Sequence, residues 1–192
     1  MARRYRYGCV AACVFSLWAA FALPARAYET ALPLPAQGTL QAAFSPWDDV
    51  EGLIVGALAD AHSEILMQAY LLTSKKIVGA LRQAQQRGVT VKILLDAAQV
   101  AAMPVAQKQQ AILRNDGIAV WGETNYTNAH NKVIVIDAET ADATLITGSY
   151  NFTWSAQHKN AENILIVRGN PPLTALYAAN WERHRRDAVS YE

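Results

Sequence analysis

Apolar residues recur along this chain with two different spacings, and short polar segments separate the two patterns. Nearly continuous apolar runs at 64–72 and 89–95 are typical of strands buried on both faces of a sheet. Between them, Ile77, Leu81 and Ala84 follow the spacing of one helix face. The pattern therefore predicts strand, helix and strand in succession over this part of the chain.

The same patterns predict the remaining elements. Further strands are predicted over 39–44, 118–121, 132–136, 144–147 and 163–167. Further helices are predicted over 48–61 and 104–115 and from Pro171 onward. Alternating strands and helices indicate an α/β domain with helices on both faces of the sheet. Because a polar turn joins 132–136 to 144–147 as a hairpin, we expect a mixed β-sheet.

Residues at the helix ends carry their own signals. Asp48 with Glu51 resembles a capping box that opens the first helix. Ser74 caps the second helix, and Gly88 ends it. The C-terminal helix carries Leu173, Leu176, Tyr177, Trp181 and His184 on one face.

Residues 1–27 have the pattern of a secretory signal peptide. Three arginines near the start precede a long uncharged stretch, and Ala25 and Ala27 are the small residues that a signal peptidase recognises. We expect cleavage after Ala27 and a periplasmic or secreted product without stable membrane insertion; an uncleaved anchor is the alternative. Residues 28–38 then form a leader arm ahead of one domain at 39–192.

Removal of the signal segment changes the composition. Both cysteines, Cys9 and Cys13, lie within it, which excludes disulfides and thiolate metal sites from the rest of the chain. It also holds four of the 17 basic residues and none of the 16 acidic ones, which leaves 13 basic residues and a net charge of −3. Nucleic-acid binding would then depend on a local basic patch.

Five polar residues in the second half of the chain form a candidate active site. His130 and Lys132 are two residues apart on a predicted strand and therefore share a face. Ser149 and Asn151 have the same spacing beyond the hairpin. Such a set suits a phosphodiester: Lys132, Ser149 and Asn151 can hold phosphoryl oxygens, and His130 can attack phosphorus or donate a proton. Glu162 can accept the other ring N–H of His130 and fix its tautomer.

Strand alternation gives Asp137 a different role. It lies on the face opposite His130 and Lys132 and, at about 3.3 Å per residue, far along the strand from them. We therefore expect a structural residue that holds the hairpin turn.

These residues resemble two motifs of one family. His130, Lys132 and Asp137 are similar to the HKD motif of the phospholipase D superfamily, and Gly148-Ser149-Tyr150-Asn151 is similar to the G-S-x-N that follows it. Other similar segments are Phe44-Ser45-Pro46, Arg87-Gly88-Val89 through Asp96, and Asn160-Ala161-Glu162-Asn163. Ten residues separate Asp137 from Gly148, more than is common in the family, and we expect residues 139–143 to form a longer hairpin tip.

The resemblance implies an α-β-α sandwich and a two-step hydrolysis. One histidine forms a phosphohistidine, a second protonates the leaving group, and no metal or other cofactor takes part. Two motif copies are needed and this chain has one, so it is similar to the short bacterial endonucleases that share one site across a homodimer. DNA or RNA is the expected substrate; the alternatives are a phospholipase D acting on phospholipids and a non-catalytic nucleic-acid-binding module.

Three residues next to this site have two interpretations each. His158 and Lys159 either contact substrate or lie in a solvated loop. Trp154 either lines the cleft or fills the core.

Overall fold

A mixed β-sheet runs through the part of the chain that the computed structural model describes, residues 31–191. Its strands are β1 (Thr39–Ser45), β2 (Glu64–Ala69), β3 (Thr90–Asp96), β4 (Ala119–Glu123), β5 (Lys132–Ile136), β6 (Thr144–Gly148), β7 (Glu162–Arg168) and β8 (Val189–Ser190). The helices of this part are α1 (Val50–Ala59), α2 (Lys75–Gln86), α3 (Ala97–Ala102), α4 (Pro104–Asn115), α5 (Trp154–His158) and α6 (Pro171–Asp187). Residues from Leu34 onward form one compact unit.

The strand order is β1-β7-β6-β5-β2-β3-β4-β8. β2, β3 and β4 are parallel, as expected for strands joined by crossover helices. The other neighbours are antiparallel, including the predicted hairpin of β5 and β6. The sheet is therefore mixed, as the sequence predicts.

Helices cover both faces of the sheet. Buried residues of α1, α2, α4 and α5 pack with one face in the larger core. On the other face, Trp181 of α6 packs against Leu66, Leu94 and Val135 and donates from its indole N–H to the carbonyl oxygen of Met67 at 2.8 Å. These layers confirm the predicted α-β-α sandwich.

Several boundaries differ from the sequence prediction. The first helix is capped by Asp49, whose carboxylate accepts from the N–H of Gly52 at 2.9 Å, so the predicted capping box at Asp48 is wrong. On α6, Leu176 is 55% exposed, whereas Trp181 of the same predicted face is buried. The short elements α3, α5 and β8 were not predicted, because a few residues carry too little periodicity to reveal an element.

The predicted hairpin tip lies far from the strand ends that matter for chemistry. β5 ends at Ile136 and β6 begins at Thr144, and the tip is closed by hydrogen bonds from the N–H of Thr140 to Asp137 and from the N–H of Ala143 to Thr140. The extra length therefore leaves Lys132 and Gly148 in register with the rest of the sheet.

The predicted signal peptide, residues 1–27, lies outside the described residues. In the predicted leader arm, residues 31–37 are exposed and carry no helix or strand. Among the helices of the described region, none combines the length and apolar character needed to cross a membrane.

Candidate active site

The predicted site residues meet at one edge of the sheet. Lys132 begins β5, Gly148 ends β6 and Glu162 begins β7. Because these neighbouring strands alternate in direction, the three positions lie side by side at the same edge. The carboxyl ends of β2 and β3 reach this edge as well, so that a broad set of polar side chains converges there.

His130 lies two residues before Lys132, the first residue of β5, and is exposed. Its ring packs against that of Tyr70, with centroids 4.4 Å apart. Two backbone contacts hold the segment: the N–H of Ala129 donates to the carboxylate of Asp96 at 2.7 Å, and the N–H of Tyr70 donates to the carbonyl oxygen of Asn131 at 3.0 Å. The imidazole therefore faces solvent from a fixed backbone.

Lys132 lies behind His130 and is only 6% exposed. Its ammonium donates to the carbonyl oxygen of His130 at 2.7 Å and lies 4.8 Å from the centroid of the Tyr70 ring. Burial lowers the pKa of Lys132, and the negative charge of Glu162 partly offsets this effect. The result is a cation held in a fixed place with few competing water contacts, which is the condition under which it best stabilises developing charge.

Glu162 and Ser149 bind each other. The hydroxyl of Ser149 donates to Glu162 Oε2 at 2.6 Å and accepts from the N–H of Asn163 at 3.1 Å, and Asn160 donates to Glu162 Oε1 at 2.9 Å. Within residues 31–191 these contacts, not the His130 ring, occupy the Glu162 carboxylate. The predicted phosphate contact of Ser149 and the predicted histidine contact of Glu162 stay predictions.

Gly148 and Asn151 fit the site in different ways. A Cβ atom on Gly148 would collide with the carbonyl oxygen of Asn163, so only glycine lets β6 and β7 approach this closely. The Oδ1 atom of Asn151 is buried without a hydrogen-bond partner in the described chain. Buried amide groups rarely stay unpaired, and oxygen and nitrogen of an amide are interchangeable by a flip. Asn151 therefore has an unused hydrogen-bonding group, and its predicted contact with a phosphoryl oxygen stays a prediction.

Asp137 follows the last residue of β5 and therefore lies at the opposite edge of the sheet from Lys132. Its carboxylate accepts hydrogen bonds of 2.6–2.9 Å from the N–H groups of His62, Ser63 and Glu64 and from the hydroxyl of Ser63. Burial alone would raise the pKa of Asp137, but these bonds lower it below the usual value of 3.8. The side chain thus ties the end of β5 to the start of β2, while the carbonyl oxygen of Asp137 accepts hydrogen bonds from Thr140 in the hairpin turn.

The structure also places residues that sequence reasoning left open or missed. Trp154 is 56% exposed, which excludes the core-filling interpretation. Tyr70 and Asp96 were not recognised as site residues. Tyr70 follows β2 and Asp96 ends β3, and the carboxyl ends of both strands lie at the edge of the sheet that carries the site. In the described region, His, Cys, Asp and Glu side chains form no group of three that could hold a metal ion.

Comparisons with known proteins agree with this geometry. A domain family described as "Cardiolipin synthase, PLD-like domain" matches residues 54–185. A "Phospholipase D" of Rickettsia typhi is 37% identical over 164 residues, which cover 84% of this chain and 76% of that protein. A "Mitochondrial cardiolipin hydrolase" of Mus musculus is 29% identical over 130 residues, which cover 68% of this chain and 55% of that protein.

A solved structure extends the likeness to three dimensions. The phospholipase D family member Nuc from Salmonella typhimurium superposes with a TM-score of 0.76 and 30% identity, over 81% of this chain and 99% of that chain. The chain therefore belongs to the phospholipase D superfamily. It is a hydrolase of phosphodiester bonds, and the fold predicted from the resemblance is confirmed.

Proposed function

We propose that this chain is an exported, metal-independent nuclease that cleaves DNA or RNA through a phosphohistidine intermediate, with an active site shared between two copies. The observation that carries the proposal is the exposed imidazole of His130 above the buried ammonium of Lys132. The Salmonella protein named Nuc supports the nuclease, because this chain matches nearly all of it.

The chemistry needs two imidazoles. A neutral His130 attacks phosphorus while the bond from phosphorus to the leaving oxygen breaks, and a second, protonated imidazole gives its proton to that oxygen. The second imidazole, now neutral, takes a proton from water, whose oxygen attacks phosphorus and releases His130. Lys132 and Asn151 stabilise the charge on the phosphoryl oxygens throughout.

The described chain supplies few candidates for the second imidazole. His62 precedes β2, at the opposite edge of the sheet. His184 lies on α6, where its Nδ1 bonds Glu123 at 2.6 Å. His158 packs on Trp154 within α5. A second copy of His130 is therefore the simplest source, and His158 is the alternative within one chain.

An exposed apolar surface supports the homodimer. On β7, Leu165 lies two residues from Val167 and therefore faces the same side of the sheet. Val167 packs in the core beneath α6, whereas Leu165 is exposed. On this face β1 and β7 expose Leu40, Phe44 and Leu165, and α6 exposes Leu176. In a two-fold dimer these apolar residues would be buried against the second copy, provided that the same axis also brings the two His130 side chains together.

A phospholipase D acting on phospholipids is the second candidate. It is favoured by the relatives from Rickettsia that are named phospholipase D. The negative overall charge expected after cleavage of residues 1–27 also opposes tight binding of nucleic acid. The shared chemistry is attack on a phosphodiester, and the substrate is what distinguishes the two candidates.

The test is a substrate panel offered to the purified protein. DNA, RNA and phosphatidylglycerol vesicles are each incubated with excess EDTA, and His130→Ala serves as the matched control. We expect cleavage of nucleic acid in EDTA by wild-type protein only. Cleavage of vesicles alone would establish the phospholipase, and activity that needs a divalent ion would contradict the mechanism.

Export is tested separately. Protein recovered from the periplasm or the medium should begin at Tyr28 by N-terminal sequencing. A membrane-bound product that retains Met1 would contradict cleavage.

A further inference from the structure

An exposed tryptophan lies next to the candidate site. Trp154 begins α5, three residues after Asn151, and more than half of its side chain is exposed, at 56%. A large aromatic side chain in water is a cost unless it has a partner. Its position beside the phosphodiester site suggests that this partner is the substrate.

Long-range hydrogen bonds hold the backbone under this tryptophan. A helix of five residues is too short to be stable by itself. Gln157 is buried; its Oε1 accepts from the N–H of Glu51 at 2.9 Å, and its Nε2 donates to the carbonyl oxygen of Asp48 at 2.8 Å. The hydroxyl of Ser45 donates to the carbonyl oxygen of Ala156 at 2.6 Å. Trp154 is therefore presented from a fixed support.

Positive charge and a second ring accompany Trp154. The ammonium of Lys159 lies 5.3 Å from the centroid of the indole, and the His158 ring lies 4.7 Å from it. Lys159 is exposed, and no ion pair within residues 31–191 neutralises its charge. The exposed indole could therefore stack on a base while the ammonium beside it binds the neighbouring phosphate.

We propose that Trp154 and Lys159 form a binding platform for single-stranded nucleic acid, in which a base next to the cleaved phosphate stacks on the open part of the indole and Lys159 binds the adjacent phosphate. The inference rests on the proposed nuclease function and narrows its substrate. Bases in a duplex are already stacked on each other, whereas a single strand can offer a base to an aromatic side chain. The platform therefore favours single strands over duplexes.

The test compares a substrate that has bases with one that has none. Cleavage of a labelled single-stranded oligonucleotide and hydrolysis of bis(p-nitrophenyl) phosphate are measured for wild type, Trp154→Ala, Trp154→Phe, Lys159→Ala and Lys108→Ala. In Trp154→Ala we expect the ratio of kcat/KM for the oligonucleotide to kcat/KM for the small ester to fall about tenfold, mainly through KM. Trp154→Phe, which keeps an aromatic face, should retain most of that ratio.

The lysine variants separate a local effect from a general loss of charge. Lys159→Ala should raise KM for the oligonucleotide, whereas Lys108→Ala removes an exposed lysine on α4 and should change nothing. Wild type should also cleave the single strand faster than a duplex of the same sequence.

Each contrary outcome has its own meaning. An unchanged ratio in Trp154→Ala, or equal cleavage of duplex and single strand, would overturn the platform. A loss confined to phosphatidylglycerol vesicles would assign Trp154 to a lipid surface and overturn it as well. If wild type hydrolyses the small ester but no nucleic acid, the proposed nuclease function fails first, independently of Trp154.

Discussion

Tyr70 contacts both groups that the chemistry requires. Its ring lies 4.4 Å from the His130 ring and 4.8 Å from the Lys132 ammonium. The electron-rich ring face stabilises the ammonium that burial destabilises, a contribution of about 0.5–2 kcal/mol. We regard Tyr70 as a positioning residue for the other two.

Removal of this ring should change the pH dependence of activity. Burial lowers the pKa of Lys132, so the side chain loses its positive charge at a lower pH than an ordinary lysine does. The activity that needs this charge should be lost at the same lower pH. In Tyr70→Leu the pKa should fall further. The step of the kcat/KM profile that reports Lys132, which lies above the step set by the protonated imidazole, should move to lower pH, and kcat should fall about fivefold. Tyr70→Phe keeps the ring and should leave that step in place. A Tyr70→Leu profile that matches wild type would exclude the positioning role.

Asp137 should act on stability instead of the chemical step. Asp137→Asn weakens hydrogen bonds to a charged acceptor and should lower the free energy of unfolding by about 1–3 kcal/mol, while the folded fraction keeps its turnover. Because the folded-state pKa of Asp137 lies below 3.8, its advantage over asparagine is present above that pH and is lost as the pH falls below it. Urea unfolding at several pH values measures this, and a folded but inactive variant would contradict it.

Strand alternation predicted which residues share a face, but it could not predict which side chains bond. It correctly separated Asp137 from His130 and Lys132. It did not reveal that Asp137 binds the N–H groups before β2, because that contact depends on β2 lying beside β5. The bond from Ser149 to Glu162 was missed for the same reason: the two residues are distant in sequence and meet only once β6 and β7 pair.

At the level of whole elements, one buried carboxylate connects α1 to α2. Glu51 accepts from the hydroxyl of Ser74, the cap of α2, at 2.6 Å and pairs with Lys76 at 2.9 Å. Glu51→Gln should therefore lower the free energy of unfolding by about 1–3 kcal/mol. Glu182→Gln breaks the partly exposed pair with Arg185 on α6 and should cost less than about 0.5 kcal/mol. Similar midpoints of thermal unfolding for the two variants would contradict this role.

Long elements could be predicted from the sequence, and short ones could not. The bounds of α4 agree with its pattern, since Pro104 and Gly117 mark its limits. α5 has five residues and owes its stability to Gln157 and other distant partners, so local sequence gives little sign of it. The sequence assigned Glu51 to a capping box, because its spacing from Asp48 fits one. The sequence pattern does not show that Ser74 at the start of α2 lies next to Glu51 in the fold.

At the scale of the whole molecule, we expect the proposed dimer to depend on the exposed apolar surface formed by β1, β7 and α6. Leu176→Asp places a charge on the outer side of α6 and should convert the proposed dimer to monomers by light scattering, with loss of activity. Val105→Asp introduces the same charge at an exposed position on α4 and should stay dimeric. If Leu176→Asp is dimeric and active, this surface is not the interface.

A shared site makes a quantitative prediction for mixed chains. If the two imidazoles come from two copies of His130, a dimer with one His130→Ala chain lacks either the nucleophile or the acid. Wild-type and mutant chains are unfolded together and refolded at several ratios, and activity is measured against the wild-type fraction. Random pairing then gives activity that falls as the square of that fraction, and His158→Ala alone should keep its turnover. A linear fall, together with an inactive His158→Ala, would show that each chain holds a complete site and that His158 is the second acid.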